Sequence, residues 1–156
     1  MIKNQQLLET GFLVVDFPLP LQVSDLLQKE KWRDLDQYFL DISNPNGLLF
    51  NFLSGYLDFK TLEHIIAIRK SPDDEDGIWH DDGSRFLGFS LSLNQNPKII
   101  VGGKLLFKRK KLTHTEIFPP QNYGKMILFL SGIYGFEHMV SAVTQGQRIV
   151  IAGWCS

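Results

Sequence analysis

Gln147-Arg148-Ile149-Val150-Ile151-Ala152-Gly153-Trp154 is an apolar run broken by one cation, and its reading decides the fold. It follows Gly146, a turn signal, and closes the chain as a strand. The unbroken apolar neighbours of Arg148 do not suit an ordinary surface arginine on an edge strand. Upstream the texture repeats. Phe136-Glu137-His138-Met139-Val140 follows the turn Ser131–Gly135, and Lys125–Leu130 follows Pro119-Pro120. Lys104–Phe107 follows Gly102-Gly103, Phe89–Leu93 alternates apolar with polar, and Ile65–Ile68 reads as a buried strand. About six to eight short strands with no helix beyond residue 62 indicate an antiparallel double sheet or barrel.

The first 61 residues read differently. Gly11–Phe17 is a strand stopped by Pro18 and Pro20. Ser24 or Asp25 is expected to cap a helix through Leu26, Leu27, Lys31 and Trp32. A helical or mixed segment from Asp34 to Ile42 ends at the turn Asn44-Pro45-Asn46-Gly47, and Leu48–Phe59 reads as helix despite Gly55. The expectation is one domain over residues 1–156, with a strand and supporting helices in 1–61 and a β core in 62–156.

Composition narrows the partners. Hydrophobic residues are 44% and charged residues 21% of 156, which suits one globular core. A formal charge of -1 argues against nucleic acid as a partner. Cys155 is the only cysteine, so no intramolecular disulfide forms and a reducing compartment is expected. The amino terminus carries no signal pattern, and no apolar run approaches the ~20 residues of a membrane span. A cytoplasmic protein without membrane contact is the expectation.

The chemistry gathers at Trp79-His80-Asp81-Asp82. On a strand, His80 and Asp82 share a face while Asp81 points away. His138 is the candidate third ligand, and two imidazoles with one carboxylate form the facial pattern of non-haem Fe(II) sites. Arg148 is spaced to reach the same cavity, where its planar fork suits a carboxylate. Divalent iron with Asp82, a dicarboxylate and Arg148 together carry no net charge, as burial demands. His64 reads as a partly buried structural histidine and His114 as an exposed loop residue. The His-x-His-then-glutamate pattern of a cupin is absent. The run Lys108-Arg109-Lys110-Lys111 reads as a solvated hairpin end, offset by the acids at Asp73–Asp76. Cys155 lacks an activating base for nucleophilic chemistry.

Across residues 62–154 the chain resembles the Fe(II)- and 2-oxoglutarate-dependent dioxygenases, most closely their prolyl-4-hydroxylase-like branch. The pieces are His80-Asp81-Asp82, Gly102-Gly103-Lys104-Leu105, Gly124–Phe129, Glu137–Val143, Gly146-Gln147-Arg148 and Ala152-Gly153-Trp154. The resemblance implies a mainly β double-stranded β-helix, or jelly roll, with N-terminal helices and iron held by His80, Asp82 and His138. It implies 2-oxoglutarate chelated to iron with its distal carboxylate on Arg148, O2 as oxidant, and ascorbate as a candidate accessory reductant. Leu91, Val140, Ala152 and Trp154 stand where such enzymes line the cosubstrate pocket. Two features depart from the branch. No tyrosine stands on Ile65–Lys70 to meet the cosubstrate, and Lys104 replaces an acidic or small polar residue after the paired glycines.

The expected activity is hydroxylation of a protein or peptide side chain such as proline, with release of succinate and CO2. A small metabolite, an alkylated nucleobase, or a non-catalytic module sensing 2-oxoglutarate or metal are the alternatives. Substrate selection is expected from the loops Asp73–Gly77 and Gly83–Arg85 and the basic run.

Overall fold

The computed structural model describes residues 1–156. In chain order the first elements are α1 (Gln5–Thr10), β1 (Phe12–Asp16), α2 (Leu21–Gln28), α3 (Trp32–Ser43) and α4 (Leu48–Ser54). Then follow β2 (Leu62–Lys70), β3 (Leu87–Ser92), β4 (Val101–Gly102), β5 (Leu105–Arg109) and β6 (Glu116–Phe118). The last are β7 (Lys125–Leu130), β8 (Phe136–Val140), β9 (Val143–Gln145) and β10 (Gln147–Cys155). No helix is long and apolar enough to cross a membrane.

The strand β10 pairs antiparallel with β3 on one side and β2 on the other, which places it inside the sheet rather than at an edge. The full sheet runs β1-β7-β3-β10-β2. A three-stranded sheet, β6-β5-β8, and a short pair, β4-β9, make the opposing layer. Aromatic rings join the layers. Phe107 of β5 lies 6.0 Å from Phe12 of β1 and 6.0 Å from Phe129 of β7, and Phe129 lies 4.6 Å from the His138 ring of β8. These are two antiparallel sheets packed face to face, open at the edges: the jelly roll expected from the sequence, with ten strands counting the short ones.

The helices cover the outer face of the larger sheet. On α3, Leu35 and Phe39 stand one turn apart and are wholly buried. Each stabilises the fold by roughly 1.5–3 kcal/mol of apolar burial. Phe39 meets the His64 ring of β2 at 6.1 Å, and Asp36 holds His64 Nε2 at 3.1 Å, so His64 is structural.

Several expectations about elements are corrected. Ser24 and Asp25 lie inside α2, which starts after Pro20 and stops at Gln28. The chain turns at Glu30 in a left-handed conformation (φ 50), so the helix expected to continue through Trp32 is two helices. Helix α4 ends before Gly55, and Leu57 bridges to Ile2 instead. Strand β2 is an edge, with Ile65 and Ile68 49% and 39% exposed, because nothing pairs beyond it. An apolar run alone does not separate an edge from a centre; Glu63 and Lys70 at its ends are the charged residues edges carry.

Candidate metal and anion site

One donor atom from each of His80, Asp82 and His138 falls within 4.8 Å of the others. His80 Nε2 is 3.5 Å from Asp82 Oδ1, and His138 Nε2 is 3.6 Å from Asp82 Oδ2. His80 and His138 come together because their backbones form an antiparallel bridge, exchanging N–H···O bonds of 3.0 and 2.8 Å. His80 Nδ1 lies 2.8 Å from the Ile78 carbonyl, an acceptor only. Nδ1 therefore carries the proton and Nε2 keeps a free lone pair, the second-sphere arrangement of a metal-binding histidine. Burial lowers the His138 pKa to about 4; the neighbouring His80 adds to that shift and Asp82 opposes it. No proton then competes for its lone pair at neutral pH.

The residues fit a divalent cation. Asp82 Oδ2 and His138 Nδ1 are buried with no hydrogen-bond partner. A carboxylate oxygen held so would cost several kcal/mol without a positive charge beside it. The Asp82 side chain is 6% exposed whereas that of His80 is 46% exposed, so the triad is closed from within and open at one face.

Asp82 reaches this point by a route the sequence reading did not foresee. Only His80 lies in a bridge, and Asp82 sits in a turn with φ 58, followed by Gly83 at φ 63. Its carboxylate converges on the imidazoles through a left-handed turn, not through strand alternation. That backbone costs a non-glycine residue roughly 1 kcal/mol or more. The turn rests on Asp81, whose Oδ1 accepts the Gly83 N–H at 2.9 Å and whose carbonyl accepts the Gly132 N–H at 2.6 Å. Gly132 is required there, since a Cβ would lie 2.5 Å from the Gly83 carbonyl oxygen.

The second centre is Arg148. It is 5% exposed, and its one side-chain partner is Ser90 Oγ, 3.3 Å from a terminal nitrogen. No carboxylate pairs with it. Burial lowers its pKa to about 10, with Arg69 pushing the same way and Asp74 opposing, so it stays charged at neutral pH. Gly103, at φ 62, lets the arginine stem pass; a Cβ would stand 2.9 Å from Arg148 Cδ. A cavity of about 180 Å³ has both His138 and Arg148 in its wall. The rest of its lining is mainly apolar, including Val140, Val150, Ala152 and Trp154 from the strands and Phe129 from β7.

Of the pocket residues expected from sequence, Val140, Ala152 and Trp154 line this cavity, whereas Leu91 does not. Leu91 pairs with Ile151 and Met126 and turns to the helix-covered face. Its neighbour Ser90, opposite Ala152, faces the cavity, and one residue of register separates the two faces. Lys104 is exposed outside the cavity. Arg69 was missed: it stands directly opposite Arg148 in the β2–β10 ladder and lines the cavity. Its Nε donates to Asp74 at 3.0 Å and another nitrogen to the Val140 carbonyl at 3.0 Å, with a further bond to the Glu75 carbonyl. Strand parity with Ala67 was the available signal.

The acidic loop is fastened rather than free. Asp74 accepts the Val143 N–H at 2.6 Å and Asp76 accepts the Ala142 N–H at 2.7 Å. Burial alone would raise the Asp74 carboxyl, but the Val143 N–H and Arg69 outweigh it and hold it below the usual aspartate range. The basic run is likewise engaged. Lys108 pairs with Glu137 at 3.2 Å and sits 4.3 Å from the Trp79 ring, and Lys110 pairs with Asp81. Those acids, and not Asp73–Asp76, pair with its two lysines Lys108 and Lys110. His114 is exposed beside Glu116, and the buried Cys155 thiol is pushed up to about 12, which leaves it inert.

No protein-family model and no curated protein matches the sequence. Solved structures do match in shape. A prolyl-4-hydroxylase from Pseudomonas putida aligns with TM-score 0.65 at 23% identity, over 96% of this chain and 87% of that one. A Trichoplax adhaerens prolyl hydroxylase, in complex with a peptide fragment of the hypoxia inducible factor oxygen degradation domain, aligns with TM-score 0.64 at 17% identity, over 96% and 85%. A viral collagen prolyl hydroxylase from Paramecium Bursaria Chlorella virus-1, in its 2OG complex, aligns with TM-score 0.58 at 15% identity, over 92% and 94%. With two sheets face to face and a histidine–aspartate–histidine cluster that meets the cavity between them at His138, the chain has the fold of these prolyl hydroxylases.

Proposed function

We propose that this chain is an Fe(II)- and 2-oxoglutarate-dependent hydroxylase that acts on a side chain of a protein or peptide, proline being the first candidate. One observation carries the reading: a guanidinium 5% exposed, without a carboxylate partner, shares a cavity with His138, one of the three side chains of the candidate metal cluster. A buried unpaired cation is costly, and a dicarboxylate spanning from metal to arginine removes that cost. His80, Asp82 and His138 would hold the iron on one face. Arg148, assisted by the Ser90 hydroxyl, would bind the distal carboxylate of 2-oxoglutarate in two parallel hydrogen bonds. Val140, Val150, Ala152 and Trp154 would keep the cosubstrate's carbon chain dry, while His138, unprotonated at neutral pH, would offer its Nε2 lone pair to the metal. Iron bound there, with 2-oxoglutarate and O2, supplies oxidative decarboxylation to succinate and CO2 coupled to hydroxylation of a substrate C–H bond.

The open side of the triad supports a large substrate. Ile78, two residues before His80, is 79% exposed, and Ile65 is 49% exposed on the β2 face that also bears Ala67 and Arg69. Apolar side chains flanking an accessible metal suit a docked polypeptide better than an enclosed metabolite. The decisive experiment is anaerobic titration of Fe(II)-loaded protein with 2-oxoglutarate. Chelation gives a weak visible charge-transfer band, and its absence refutes the proposal. Succinate release under O2 separates an enzyme from a sensor. A one-oxygen mass gain in a peptide library, or its absence beside turnover of small molecules, decides the substrate class.

A further inference from the structure

Strand β8, which carries His138, and the segment bridged to it at His80 share an outer face, and the charges on that face are matched to the loop around Asp82. His80 bridges His138, and His138 in turn pairs with Phe107 of β5, so the segment around His80 lies beside strands β8 and β5. Their inner face bears the imidazoles. By strand alternation their outer face bears Trp79, Asp81, Glu137 and Lys108, with Lys110 just beyond the end of β5. Lys108 engages Glu137 and the Trp79 ring, and Lys110 engages Asp81. The two lysines thus grip the residues on either side of His80.

Resting on the Fe(II) reading above, we infer that Lys110 is a positioning residue for the metal, acting through Asp81. Asp81 is fixed at three atoms: Oδ2 by Lys110, Oδ1 by the Gly83 N–H, and the carbonyl by the Gly132 N–H. The Oδ1 bond spans Asp82 and closes the left-handed turn that aims its carboxylate at the imidazoles. Without Lys110 the Asp81 carboxylate is free to rotate away from Gly83. The turn then relaxes, and Asp82 leaves the common point. Neither Asp81 nor Lys110 touches the metal; each sets the backbone of a residue that does.

Co(II), a redox-stable stand-in for Fe(II), tests this by calorimetric titration without turnover. Lys110→Ala is expected to weaken Co(II) affinity roughly 10–100-fold, as loss of an outer-sphere partner does. The thermal midpoint of the metal-free protein should stay within a few degrees, since the pair is solvent-exposed. Lys110→Arg, which keeps the cation, should recover most of the affinity. Asp81→Ala should match Lys110→Ala, and the double variant should be no worse than either single one, because all three remove one device. Equal Co(II) affinity in wild type and Lys110→Ala, or losses that add in the double variant, would overturn the inference. A wild-type chain that takes up no Co(II) overturns the Fe(II) reading as well.

Discussion

The two ends of the cavity are built by opposite means. At the metal end, side chains come from a turn and an isolated bridge, and His80 reaches solvent. At the arginine end, Arg148 sits 5% exposed within a nine-residue strand paired on both sides. The first depends on local backbone bonds around Asp81 and Gly83. The second depends on sheet register and on space left by Gly103. Metal affinity and anion affinity should therefore be separable by mutation, and the cost of each should fall in different measurements.

Asp82→Asn is the sharpest break. Asparagine tolerates the left-handed turn, so the fold is retained while the only anionic ligand is removed. Metal uptake should fall by more than the roughly 10–100-fold that losing an outer-sphere partner costs, and succinate release should vanish. Near-normal Co(II) binding by calorimetry would show that the three side chains are not a ligand set. Arg148→Met attacks the other end. It should weaken 2-oxoglutarate binding by about 2–5 kcal/mol while leaving Co(II) affinity intact. In the ligand-free protein the same change removes a buried charge that has no carboxylate partner, so urea denaturation should show stability raised by about 1 kcal/mol or more. A destabilised ligand-free variant would mean that the guanidinium is already satisfied within the chain.

The same contrast explains what could be read from the sequence. Once β10 is read as a strand, alternation carries Arg148, Ala152 and Trp154 to one face together. At Leu91 the resemblance, not the pattern, points the wrong way: the ladder sets Ser90 and not Leu91 opposite Ala152. The cluster of His80, Asp82 and His138 was legible as His-x-Asp with a distant histidine, but strand alternation does not describe its geometry. A strand would aim Asp82 by alternation, whereas the molecule uses a turn whose closing bond comes from Asp81. Charge runs were the least legible feature. Nothing in Lys108–Lys111 or Asp73–Asp76 states which backbone amide or carboxylate each will meet, because those partners lie 29 or more residues away.

Asp74→Ala probes the fastening of the acidic loop, which supports the arginine end through Arg69. It strips Arg69 and the Val143 N–H of an acceptor that is only 14% exposed. Leaving those donors unmet should cost about 2 kcal/mol by urea denaturation. Because the folded-state pKa of Asp74 lies below its ordinary 3.8, its contribution is fully present above that value and is lost as pH falls through the folded one. Wild type and variant should thus differ by a constant amount from pH 7 to about 5 and converge in stronger acid. A difference that shrinks already near neutrality would assign the effect to another group.

Arg85→Ala should have the smallest effect, and it tests whether the open side of the metal end is free to serve substrate. Arg85 lies 4.9 Å from the Trp154 ring centre and pairs with Glu63 at 2.8 Å, with both partners substantially exposed. Solvent screens such a pair, so its loss should change stability by at most about 0.5 kcal/mol. Trp154 nevertheless belongs to the cavity wall, and removing the cation uncovers its outer face. Affinity for Co(II) and 2-oxoglutarate should be unchanged, while KM for a peptide substrate shifts and kcat does not. If instead 2-oxoglutarate affinity drops as far as in Arg148→Met, the mouth and the sealed end are one electrostatic unit and the division between them fails.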